Sequence, residues 1–178
     1  MAEIKSTLDL VMERTKHLSL SKAEKNEQQQ IEFGKKISGI LQKYIDKVIG
    51  KKEFKKQSNA LKKEYDINDD KIIIKEISDR LMLDNGNSDL FLLLREEFNI
   101  NISSVEKIID DYKNEIEAYT KNTINELNEN LYKNHFISGN AILPNLKSSP
   151  QWESSIYKIN EKYSLKFAHE KKNLTKHT

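Results

Sequence analysis

Apolar residues recur every three or four positions along most of the chain, the period of a helix that buries one stripe. Residues 3–17 predict a first amphipathic helix, with Ile4, Leu8 and Val11 on one side and Leu18 just beyond. Ser21 followed by Glu24 is a capping-box signature, so a second helix is expected over 22–49. Its first turns, Lys25 to Gln30, are polar all round. Its second half carries a stripe of Phe33, Ile37, Ile40/Leu41, Tyr44 and Val48. Gly34 and Gly39 read as points of close helix approach, and Gly50 reads as the C′ residue that stops the helix.

A block of short helices is expected over 51–100. The first has apolar points at Phe54, Leu61 and Tyr65. The second runs from a cap at Asp69 or Asp70 to about Leu83, with Ile73/Ile74, Ile77 and Leu81. Asp84-Asn-Gly-Asn is a turn signal, and Ser88 or Asp89 can cap a third helix reaching Phe98. Phe91, Leu92, Leu93 and Leu94 make that helix apolar almost all round, hence buried. Ser103 with Glu106 forms another capping box and opens the longest helix, 104–135, on a heptad seam of Ile102, Val105, Ile109, Tyr112, Ile116 and Tyr119. Thr123, Leu127 and Leu131 then step by four, a local stutter.

From Phe136 to Trp152 the periodicity stops. This stretch, FISGNAILPNLKSSPQW, holds both prolines and the single tryptophan, with no charge from Phe136 through Leu146. Gly139 can take a positive φ, and Pro144 holds Leu143 toward an extended form. Ser149-Pro150 is an N-cap followed by an N1 proline, so a last helix is expected over 150–172, with Trp152, Ile156, Ile159, Tyr163 and Phe167 on its seam. Beyond Lys171 the tail is expected to fray. Together these elements predict one all-α domain spanning 1–178, an elongated helical bundle. The expected stalk is coiled-coil-like, 22–49 antiparallel to 104–135, with the short helices as a head and the last helix packed back along it.

Composition narrows the function classes. Charged residues make up 33% of the chain and the net charge is +2, with 3 of the 30 basic residues being arginine. Bidentate phosphate and base contacts favour arginine, so total charge gives no sign of nucleic acid. Residues 47–63 nevertheless hold seven lysines against Glu53 alone. Lys51, Lys52, Lys55, Lys56, Lys62 and Lys63 are therefore the candidate nucleic-acid residues, with Phe54 as a stacking face. A solvated helix face, balanced by acidic residues in 64–89 and 106–129, is the plainer reading. No cysteine is present, which excludes disulfides and thiolate metal sites. Apolar runs are too short for a bilayer span, and MAEIKSTLDL has neither the basic nor the apolar region of a secretory signal. A cytoplasmic protein without membrane insertion is expected.

Catalytic and metal signatures are missing. The histidines His17, His135, His169 and His177 fall in no HxxxH or HExxH spacing. Asp110-Asp111 with Glu115 lacks the Glu-x-x-His partner of a di-iron bundle. Asp84-Asn-Gly-Asn-Ser-Asp has glycine at the third place instead of the sixth and no glutamate at the twelfth, so it fails as a calcium loop. No cofactor is expected. Function is then expected to lie in helix faces and in the 137–152 loop, where Gly139, Asn140, Ile142, Leu143, Pro144, Asn145 and Trp152 form a candidate partner-binding surface or, alternatively, a cap on the bundle. Three readings follow. The first is a non-enzymatic interaction or scaffold protein that binds a protein partner or itself. The second is a nucleic-acid-associated factor, and the third a small-ligand binder or enzyme at the loop end.

Glu3-Ile4-Lys5-Ser6, together with Gly139, Ala141, Ile142, Pro144, Asn145, Pro150 and Trp152, resembles a family of uncharacterised bacterial proteins. Its members open MxEIKS and carry a G-x-A-[IV]-x-P-N segment before a tryptophan-bearing last helix. Lys147 and Gln151 depart from the acidic or neutral residue and the glutamate usual there. The resemblance implies a bacterial cytoplasmic setting and no activity.

Overall fold

Ser21 accepts a hydrogen bond from the Glu24 amide at 3.2 Å, and Glu24 Oε2 accepts from the Ser21 amide at 2.7 Å. This capping box starts the first helix of the computed structural model, which describes residues 21–84, 86–139 and 142–176. The expected helix over 3–17 lies outside them. All regular elements among the described residues are helical: α1 (Lys22–Ile45), α2 (Lys51–Glu64), α3 (Lys71–Asp79), α4 (Ser88–Glu96), α5 (Ser103–His135), a 3-10 turn at Leu146–Ser148, and α6 (Pro150–Leu174). The chain divides into two compact units, with the boundary between Asn68 and Asp69.

The first unit is an antiparallel hairpin of α1 and α2. Residues 22–32 are exposed, as their polar sequence requires, and burial begins where the apolar stripe does, at Phe33, Ile37, Leu41 and Tyr44. Phe33 meets Tyr65 edge to face at 6.0 Å, and Tyr44 meets Phe54 at 5.6 Å. Lys36 reaches Glu64 at 2.8 Å and lies over the Tyr65 ring. These three pairs run in opposite directions along the two helices and so fix the register.

The end of α1 differs from expectation. Helix stops at Ile45 because Lys47 turns left-handed, φ 58°. The Val48 amide then bonds the Lys43 carbonyl at 2.9 Å and the Lys47 amide bonds Tyr44 at 3.0 Å, a Schellman closure built on lysine instead of glycine. Val48 is left exposed, and Gly50, in extended backbone, is the N-cap of α2. Gly39 is exposed, and an added Cβ there would meet nothing within 4 Å, so it marks no close approach. Gly34 is buried.

The second unit is organised by α5 and α6. Tyr112 Oη donates to Asn160, Tyr119 Oη to Ser155, and Ser104 Oγ to Glu170, at 2.9, 2.9 and 2.5 Å. Residue numbers rise on one helix as they fall on the other, so the pair is antiparallel. Within this unit the last helix packs back along the longest one, as expected. The expected stalk partner, 22–49, belongs to the other unit. Seam residues Ile102, Val105 and Ile109 are buried, and Tyr112, Ile116 and Tyr119 are half-buried. On α6 the seam extends past Phe167 to Leu174, 3% exposed; this anchor keeps the helix intact where fraying was expected.

α3 packs on α6 and on α4, burying Ile73, Ile74 and Ile77, with Leu90, Leu93 and Leu94 buried on α4. Leu92, expected inside, is 42% exposed. α3 ends at Asp79, short of the expected Leu83, because Asn87 holds the following turn. Its Oδ1 accepts from the Met82 amide at 2.8 Å and its Nδ2 donates to the Met82 carbonyl at 2.5 Å. Asn87, not Ser88 or Asp89, is accordingly the N-cap residue of α4, and its side chain makes no cap bond. The Ser103–Glu106 capping box does not form either. Glu106 pairs with Arg95 of α4, and the Ser103 amide bonds Asn101 at 2.9 Å.

Candidate functional site

The turn from α5 to α6 is where the sequence pattern breaks and where Phe136 and Leu143, the two most exposed large apolar side chains among the described residues, stand. α5 runs unbroken to His135 for 33 residues. Ser155 lies beside Tyr119, so the last ~11 residues of α5 overhang the start of α6, about 16 Å at 1.5 Å per residue. Phe136 then closes α5 in left-handed backbone, φ 55°, with the Ile137 amide returning to Leu131 at 3.2 Å. Gly139 follows at φ 152°, a value suited to glycine, and its carbonyl accepts from the Ile142 amide at 3.3 Å. Asn145 accepts from the Lys147 amide at 3.2 Å and opens the 3-10 turn. Ser149 caps α6 through the Trp152 amide, with Pro150 at its first position.

Exposure at this tip is uneven. Phe136 and Leu143 are 87% and 88% exposed, Tyr132 59% and Ile137 47%. Ile142, Pro144 and Leu146 are half-buried. The loop therefore lays part of its apolar surface down and leaves Phe136 and Leu143 in solvent. Trp152 is half-buried, and its indole nitrogen is buried without a hydrogen-bond partner among the described residues. Asn140 and Ala141 lie outside the described residues, as do Glu3-Ile4-Lys5-Ser6, His17 and His177.

The lysine segment forms α2. Lys52, Lys55, Lys56 and Lys63 are exposed, whereas Lys51 and Lys62 are half-buried. Lys52, Lys56 and Lys63 share one face by their spacing. Phe54 is 1% exposed and packed against the tilted ring of Tyr44, so it offers no stacking face for a base.

Acidic residues of α5 are matched from α6. Lys162 Nζ donates to Glu115 Oε2 and Oε1 at 2.6 and 2.9 Å, and Tyr163 Oη donates to Oε2 at 2.7 Å. The Lys162 ammonium and then the Tyr163 hydroxyl hold the Glu115 carboxyl below the usual range. The same carboxylate, aided by burial, pushes the Tyr163 hydroxyl up to about 12. This cluster is a structural clasp, since its donors and acceptors are matched to one another. No group of three His, Asp or Glu side chains among the described residues converges as a metal site, and no helix there is long and apolar enough to cross a membrane.

One cleft was not anticipated. α3 and the last turns of α6 flank an open cleft of about 510 Å³, walled by Leu81, Leu83 and Phe167 and edged by Lys75, Lys171 and Lys172. Lys171 Nζ donates to the carbonyls of Asp79 and Leu81 at 3.0 and 3.1 Å, closing the C-terminal end of α3. The signal in the sequence is a lysine on an apolar seam, four residues after Phe167 and three before Leu174.

Comparison of the chain with protein-family models, with curated proteins and with solved structures finds no match.

Proposed function

We propose that the chain is a non-enzymatic helical interaction protein that engages a protein partner, or a second copy of itself, through the tip formed by the end of α5 and the 136–146 loop. One observation carries this reading: Phe136 and Leu143 are almost fully exposed at the end of the longest helix. An exposed phenylalanine in left-handed backbone gains little from burial and costs roughly 1–2 kcal/mol in backbone strain, a combination that favours a residue kept for contact. Gly139, Ala141, Ile142, Pro144 and Asn145 of this loop, with Glu3-Ile4-Lys5-Ser6, also give the resemblance to a family of uncharacterised bacterial proteins.

The test uses two substitutions in the full chain. Phe136→Gly relieves the backbone strain and removes the ring; Leu143→Ser removes the most exposed aliphatic side chain. Light scattering across a concentration series, with affinity capture alongside, is expected to show association in the parent and its loss in both variants. A parent that stays monomeric and retains no partner would sink the reading.

The exposed lysine face of α2 supports a second reading, a nucleic-acid-associated factor. It needs salt-sensitive binding that disappears when Lys52, Lys56 and Lys63 become glutamine. With Phe54 buried, such binding would rest on phosphate contacts alone.

A further inference from the structure

The cleft between α3 and α6 combines three features that the interaction reading does not use. Its volume falls in the range of roughly 300–1,000 Å³ typical of small-ligand sites. Its charge is one-sided, because Lys75, Lys171 and Lys172 line it against Asp79 alone. Neither Lys75 nor Lys172 is in an ion pair among the described residues. The third feature is Ser78, which also lines the cleft. It is 1% exposed, and its hydroxyl has no hydrogen-bond partner among the described residues. A buried hydroxyl without a partner is costly unless something supplies one.

We propose that this cleft binds a small amphipathic carboxylate, with the apolar body on Leu81, Leu83 and Phe167 and the carboxylate among Lys75, Lys171 and Lys172. Lys171 already directs two donors at the end of α3 and has one left. A carboxylate is acceptor-only, so it complements that remaining N–H and the Ser78 hydroxyl together. A dianionic phosphate fits less well, because Asp79 and the partial negative charge at the C-terminal end of α3 oppose a second charge. Burial lowers the pKa of the Lys171 ammonium, with Asp79 partly offsetting it; a bound anion would reverse that shift.

Decanoate is the probe, added to the full chain and followed by calorimetry, with amide NMR shifts to locate it. Saturable binding at one site is expected, with shifts confined to the end of α3, residues 80–84 and the end of α6. Replacing Lys75 and Lys172, both exposed, by glutamine should weaken binding about tenfold, the scale of losing charged hydrogen bonds. Leu83→Asp should abolish it, with circular dichroism confirming the fold of each variant. Four results would overturn the proposal. These are no saturable decanoate binding, equal affinity for decanol, unchanged affinity in K75Q/K172Q, and tighter binding of a leucine-terminated tetrapeptide, which would make the occupant a protein tail.

Discussion

Left-handed backbone at Lys47, Asp66, Asn99 and Phe136 shows why single residues were the least legible level. Glycine or asparagine announces such a turn in a sequence; lysine and phenylalanine do not. Gly39 misled in the opposite direction, since it is exposed in mid-helix with open space around it. Gly39→Ala is therefore expected to raise stability by about 1 kcal/mol, read as a higher urea midpoint at unchanged slope. A fall would restore the close-approach reading. Asn87 is the reverse case, a buried side chain answering both backbone groups of Met82. Asn87→Ala leaves those groups unmet and should cost about 1–3 kcal/mol. Nothing in the sequence separated Asn87 from the other polar residues of that turn, because its partner is chosen by how the chain bends back.

At the scale of elements, helical periodicity located every helix among the described residues, and it failed mainly at their ends. The reason is physical. Burial repeats over many residues, whereas a cap is one local choice, and Glu106 chose Arg95 over its own helix terminus. The α5–α6 clasp yields a pH dependence with two limbs of opposite sign. Glu115 has a folded pKa below its usual 4.5, so the unfolded chain binds more protons in acid. Its contribution is present above about pH 4.5 and is lost as pH falls through the lowered value. Tyr163 is raised from 10.0 to about 12, so its contribution is complete below pH 10 and is lost as pH rises toward 12. Urea midpoints measured against pH should decline at both ends. Glu115→Gln should flatten the acid limb and Tyr163→Phe the alkaline one. Limbs that persist unchanged in both variants would place the dependence elsewhere.

For the whole molecule the two units pose different questions. The first is a small hairpin whose aromatic pairs and Lys36–Glu64 ion pair set its register. The second carries both the apolar tip and the cleft. Since Leu143 is 88% exposed, Leu143→Ser is expected to change unfolding stability by no more than about 0.5 kcal/mol. A thermal melt that falls well beyond this would mean that the loop seals the unit, and the tip would lose its standing as a contact surface.

The sequence by itself determined the helical class, most of the buried stripes, the extent of the longest helix and the proline-capped start of the last one. Each of these follows from local chemistry or from a period that repeats. That the first long helix pairs with α2, where Glu106, Asn87 and Lys171 find their partners, and that Phe54 is enclosed while Phe136 is bare were decided only in three dimensions. Those outcomes depend on groups far apart in the chain arriving at hydrogen-bonding distance, and spacing along one strand of residues carries no record of that.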